Sequence, residues 1–213
     1  MNEPSTRRTG AVALVAVLAI GATAVAADKK KKDYRAAAVE VMKASFQSKG
    51  QASVDRLNQD EVQTTCSQYN ASKPVPRALA KKLQEAQLAT IQYPADGKYL
   101  GSWESGEKIA QTGVGKQFSD DPSKPAGGNC YACHQLSAKE LSYGTIGPTL
   151  YQYGKLRGNS EPILKYTWGK LWNSQAFNAC SDMPRFGHQG ILTEEQLKDV
   201  MALLLDPESP VNK

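Results

Sequence analysis

Cys130 and Cys133 stand two residues apart with His134 directly behind them, so the run Cys130-Tyr131-Ala132-Cys133-His134 has the form C-x-x-C-H. Two thiols at this spacing can add across the vinyl groups of a porphyrin, and the adjacent imidazole is placed to ligate its iron: the pattern is the attachment site of a c-type haem. The chemistry that follows is one-electron transfer. Two other uses of these residues are weaker. A thioredoxin-like dithiol needs a βαβ setting, and none is readable around it. A zinc site needs a distant fourth ligand, and adjacent Cys133 and His134 rarely both reach one tetrahedral ion.

If His134 is the proximal ligand, its other ring nitrogen needs an acceptor that fixes the ring. Gly147-Pro148-Thr149-Leu150 begins thirteen residues beyond His134 and resembles the G-P-x-L segment of class I cytochromes c. In that family the proline carbonyl accepts this hydrogen bond, so the resemblance implies the role for Pro148. On the opposite face few groups compete. Met183, in a loop with the rigid Pro184 behind it, is favoured; His188, five residues on, is its rival, since haems with two histidines exist. Met201 falls on the apolar face of the last helix and reads as core packing, and Met42 is remote in sequence. Met/His ligation raises the reduction potential and leaves no open position on the iron, which suits electron transfer rather than binding of oxygen or peroxide.

Cys66 and Cys180 remain after haem attachment. In an exported protein two leftover thiols usually pair. A Cys66–Cys180 disulfide would tie the N-terminal part of the chain to a point three residues before Met183 and limit how far that loop swings.

The elements that must position these groups read as helical. Arg7 and Arg8, the apolar run Ala11–Ala27 and the small residues at its end form a signal peptide over 1–27, with an uncleaved membrane anchor as the alternative. Residues 28–95 read as a helical extension. Val39, Met42 and Phe46 share a helical face that Gly50 would end, Ser53 and Asp60 are candidate caps, and Arg77–Tyr93 is a longer amphipathic stretch with Leu79, Leu83, Ala86 and Ile91 inward. Residues 96–213 read as the haem domain, entered by a helix starting near Gly106 and closed by one in which Thr193 and Gln196 form a capping box and Leu197, Val200, Met201 and Leu204 line one face. Period-two alternation is nowhere sustained, so the expected fold is all-α: a class I cytochrome c-like haem domain with an N-terminal helical extension. The formal charge of +5 becomes +4 once Arg7, Arg8 and Glu3 leave with the leader, and about +2 with two haem propionates, too mild a balance for nucleic acid. Tyr166, Trp168 and Trp172 could pack on the macrocycle or serve as core aromatics, and Arg185 could meet a propionate or a partner's carboxylate or stay solvated.

Three segments together resemble the SoxX family, the monohaem subunit of the SoxAX complex of sulfur-oxidising bacteria: Gly127–His134, Ile146–Leu150 and the distinctive Cys180-Ser181-Asp182-Met183-Pro184-Arg185-Phe186-Gly187. The segment Gln63–Ser67 is also similar, less distinctively. The resemblance implies one covalent haem c held by Cys130 and Cys133, with His134 and Met183 on the iron, and a periplasmic role in thiosulfate oxidation. In that family SoxAX, an L-cysteine S-thiosulfotransferase, joins thiosulfate to a cysteine of the carrier SoxYZ. The implied partners are a dihaem or monohaem SoxA-like subunit carrying the catalytic haem, the SoxYZ-like carrier transiently, and a downstream cytochrome c. The chain itself would accept electrons without being catalytic alone, and would keep no membrane attachment after leader cleavage. A freestanding periplasmic haem shuttle and a haem-free module whose cysteines are purely structural are the competing classes.

Overall fold

The computed structural model describes residues 34–70 and 72–213. The signal peptide read over 1–27 and the Lys29–Lys32 run lie outside the described residues. Among the described residues seven α-helices follow one another: α1 Arg35–Ser45, α2 Glu61–Cys66, α3 Arg77–Leu88, α4 Trp103–Gln111, α5 Tyr153–Arg157, α6 Glu161–Trp172 and α7 Glu194–Leu205. Short 3₁₀ turns occupy Val54–Leu57, Cys130–Ala132, Ser174–Ala176 and Pro210–Asn212. No strand occurs among the described residues, so the fold is all-α.

Helix α7 is the centre of the molecule. The Thr193 side chain accepts the N–H of Gln196 while the Gln196 side chain accepts that of Thr193, and Glu194 and Glu195 complement the positive helix N-terminus. Leu197 and every residue from Val200 to Leu205 are buried. Each large apolar side chain withdrawn from water here contributes about 1.5–3 kcal/mol. Helix α4 crosses α7. Its first turn is capped by Ser102, whose own N–H donates to Asp199 Oδ1 of α7 at 2.8 Å. The helix therefore starts at Trp103, three residues ahead of the start read from Gly106. Glycine weakens a helix by about 1 kcal/mol and so reads as a boundary. Here Gly106 lies inside α4 because the backbone of Asp199 passes over it where a Cβ would stand.

Helix α6 covers the other side of α7. Trp168 is fully buried, meets Tyr99 edge-on at 5.7 Å and stacks with Trp172 at 6.2 Å. The two indole N–H groups donate to the carbonyls of Gln92 (2.7 Å) and Thr90 (3.1 Å). Helix α3 stops at Leu88 although the amphipathic pattern runs on to Tyr93: beyond it the N–H of Thr90 and the Thr90 hydroxyl both donate to the Gln87 carbonyl, and the N–H of Ile91 donates to that of Leu88. Ile91 still packs on the main core, but from the turn after the helix.

The extension is bound along the domain it precedes. Asp60 caps α2 in a capping box, and α2 and α3 enclose a small cluster of Val62, Leu83 and Ala179, joined by Cys66, Leu79 and Ala80. Ala179 belongs to the segment leading to Met183, so this second core is shared between the two parts of the chain. Gln84 Nε2 donates to the Phe177 carbonyl (2.9 Å), and Asn173 Nδ2 donates to Gln87 Oε1 (3.0 Å) and Thr90 Oγ1 (2.9 Å). Nearer the start, Arg56 donates to the Lys116 carbonyl (2.6 Å) and Lys49 lies 4.4 Å over the Phe118 ring.

Candidate haem site

The C-x-x-C-H run is anchored from both sides by backbone hydrogen bonds. Upstream, the N–H groups of Gly127, Gly128 and Asn129 donate to the carbonyls of Val114, Ile109 and Thr112, each at 2.8 Å, which ties the approach to the end of α4. Asn129 adopts φ 47°, a left-handed conformation that asparagine tolerates better than most residues, and turns the chain into the 3₁₀ turn Cys130–Ala132. The N–H groups of Cys133 and His134 both donate to the Cys130 carbonyl, at 3.1 and 2.9 Å. The two cysteines and the histidine thus belong to one tight turn whose Tyr131 is buried in the main core.

Downstream, the segment 144–150 runs beside that turn. Gly144 N donates to the Tyr131 carbonyl, Gly147 N to that of Cys133 and Leu150 N to that of Gln135, each at 2.8 Å. Between the last two bonds, Nδ1 of His134 and the Pro148 carbonyl oxygen are 2.7 Å apart. A carbonyl only accepts, so the ring proton is on Nδ1 and Nε2 keeps its lone pair. A Cβ on Gly147 would overlap the His134 ring, so glycine there allows the backbone to press flat against the imidazole. Ile146, 76% exposed, adds apolar surface beside this pair.

Cys130 and Cys133 are half-buried and not bonded to each other. Burial pushes the Cys130 thiol up to about 12. Burial, and then the carboxylates of Glu107 and Glu140, likewise push Tyr131 up to about 12.

Met183 packs against the same core cluster as Cys130. Its backbone is held from both ends: its carbonyl accepts the Ser174 hydroxyl and its N–H donates to Ser181 Oγ at 3.2 Å. A disulfide joins Cys66, the last residue of α2, to Cys180, with Cα atoms 5.6 Å apart. His188 is exposed, and its N–H donates to the Trp172 carbonyl. Desolvation and the Arg185 guanidinium hold its imidazole below the usual range, while Asp60 opposes them. His188 therefore sits near the Arg185–Asp60 ion pair that joins the two parts of the chain. Of the aromatics, Trp168 and Trp172 are committed to α6 and the extension, and Tyr166 meets Phe177 edge-on at 5.0 Å.

Arg185 is not solvated, as one reading had it: its side chain is 7% exposed and its Nη2 donates to Asp60 Oδ2 at 2.6 Å. Sequence reasoning missed this pair, as it missed Ser174 behind Met183. Asp60 was legible only as a helix cap.

The donor set fits a c-type haem: two half-buried thiols on one turn, an imidazole whose Nδ1 is engaged and whose Nε2 is bare, and a thioether sulfur on the shared core. The sequence model of the cytochrome c family matches residues 104–206. The chain contains a cytochrome c domain. A cytochrome c domain implies covalently bound haem c and electron transfer. A protein of Aquifex aeolicus (strain VF5) named "Uncharacterized lipoprotein" is 39% identical over 158 residues, covering 73% of each chain. That span is longer than the cytochrome c domain, so the likeness extends past it. The domain takes in α4 through α7 together with the Cys130–His134 turn, Pro148 and Met183, while α1 to α3 precede it.

Proposed function

We propose that this chain is an exported electron carrier with one haem c, held by Cys130 and Cys133 and ligated by His134 and Met183, and that it works as the electron-accepting subunit of a SoxAX-type thiosulfate-oxidising complex. The observation that carries the electron-transfer part is the His134–Pro148 hydrogen bond, which fixes the tautomer and orientation of an iron-binding imidazole on a turn whose neighbouring thiol shares its core with Met183. Bound there, haem c supplies reversible one-electron exchange at its iron. The protein's part would be to hold the His134 ring through Pro148 and to present the Met183 thioether from the apolar core.

Export is supported by the disulfide, by the attachment chemistry of c-type haem, which belongs to an oxidising compartment, and by the name of the Aquifex relative. We place the protein in the periplasm, with 1–27 removed as a leader, 28–95 as the extension and 96–213 as the haem domain. The lipid attachment in the relative's name is said of that relative alone.

The SoxX assignment rests on the Cys180–Gly187 segment and its surroundings. Joining thiosulfate to a carrier cysteine forms one S–S bond and releases one proton and two electrons. A carrier such as this would take those electrons singly from the partner's haem and pass them to a downstream cytochrome. Co-expression with a SoxA-like subunit tests it: a stable heterodimer whose haem on this chain is reduced when thiosulfate and the carrier are added supports the assignment. A monodisperse monomer that is reduced equally well by unrelated cytochromes would make it a freestanding shuttle.

A further inference from the structure

The two carboxylate oxygens of Asp60 face different elements. Oδ1 accepts the Gln63 N–H at 2.8 Å and starts α2. Oδ2 accepts Nη2 of Arg185 at 2.6 Å, across 125 residues of sequence. The Arg185 side chain is almost wholly out of water, a position that is unfavourable for a guanidinium unless it is paired. At the other end of α2, Cys66 is bonded to Cys180. Cys180 lies three residues before Met183 and Arg185 two residues after it. The cap and the last residue of this short helix therefore grip the Met183 segment on both flanks, and Ala179, packed on Val62 and Leu83, seats it on the extension.

We propose that α2 is a brace for the Met183 loop: Asp60, through Arg185, and Cys66, through Cys180, hold that loop closed, and Asp60 is a positioning residue for the Met183 thioether. The inference rests on Met183 being the second iron ligand in the function proposed above. It gives the extension a definite task, since the population in which Met183 has swung away is then set by contacts made outside the cytochrome c domain.

Asp60→Asn separates the two jobs of the residue, because asparagine caps a helix as well as aspartate does but brings no charge to Arg185. The probe is imidazole added to the oxidised holoprotein, read by absorbance together with the sulfur-to-iron charge-transfer band. Apparent affinity for the probe rises in proportion to the open population. Asp60→Asn is expected to raise it about tenfold and weaken the band, with Asp60→Glu returning both toward the parent. The pair Cys66→Ser with Cys180→Ser is expected to move both in the same direction, and Met183→Ala to move them furthest. If Met183→Ala responds while Asp60→Asn and the disulfide variant match the parent with native circular dichroism, the brace is wrong and the ligand stands. If Met183→Ala itself leaves the affinity unchanged, the ligand assignment falls and the brace with it. Should Asp60→Asn fail to fold, the disulfide is reduced in the parent holoprotein instead: a rise in imidazole affinity upholds the brace, and an unchanged affinity overturns it.

Discussion

Nδ1 of His134 donates to the Pro148 carbonyl oxygen at 2.7 Å, and the residue that lets them approach is Gly147, whose missing side chain leaves room for the ring. The loop that returns beside the histidine is laced to Tyr131, Cys133 and Gln135 by three backbone hydrogen bonds. Ring orientation is a property of that lacing, not of the histidine alone.

Gly147→Ala should therefore disturb the site without replacing any ligand. Its methyl group would overlap the imidazole, and overpacking of this kind costs about 1–3 kcal/mol. The expected result is less haem incorporated per chain and a lower melting temperature. Haem content and melting temperature both equal to the parent would show that the ring is not seated against this glycine.

Met183→Ala should lower the reduction potential, whereas His188→Ala should leave it where it is. Axial ligands spread haem potentials over about 0.8 V, so loss of the thioether is expected to cost on the order of 0.1 V or more. Potentiometric titration of both variants decides the pair. A fall in His188→Ala with none in Met183→Ala would exchange their roles.

The Cys66–Cys180 bond closes a loop of 114 residues, and removing such a constraint typically costs about 2–5 kcal/mol. Guanidinium unfolding of the Cys66→Ser, Cys180→Ser holoprotein should show a loss within that range. An unchanged midpoint would mean that the extension is held by its packing and hydrogen bonds alone.

Acid should weaken the extension's grip. Burial alone would raise the Asp60 pKa, but the Gln63 N–H and the Arg185 guanidinium together hold it below the ordinary 3.8. A carboxylate with a depressed folded-state pKa contributes stability above its unfolded pKa and loses it as pH falls through the folded value. The stability difference between the parent and Asp60→Asn is therefore expected to be full at neutral pH and to shrink once pH drops below 3.8. A difference that stays constant through that range would show that the charge of Asp60 does not act in the folded state.

Short-range signals in the chain carried the chemistry well. The haem motif spans five residues, the capping box at Thr193–Gln196 spans four, Asp60 is readable as a cap, and the apolar faces of α3 and α7 follow from helical spacing. Cys66 and Cys180 could be matched across the chain only because no other cysteines remained once the motif was set aside. Where one residue answers to a partner far away, the same reading failed. Gly106 looked like a helix start because its cost is local, while the reason for it, the Asp199 backbone crossing α4, is not. Arg185 looked like a surface cation because its neighbours in sequence say nothing about Asp60.

The cofactor class and the all-α character were thus readable from residue type and spacing, since covalent attachment, capping and amphipathicity all act over a few positions. That the extension is bound to the Met183 loop, with α2 between the disulfide and the Asp60–Arg185 ion pair, required the folded chain. A cap finds its partner three residues away, but no local pattern records which surface a helix will meet after the chain has turned back on itself across more than a hundred residues.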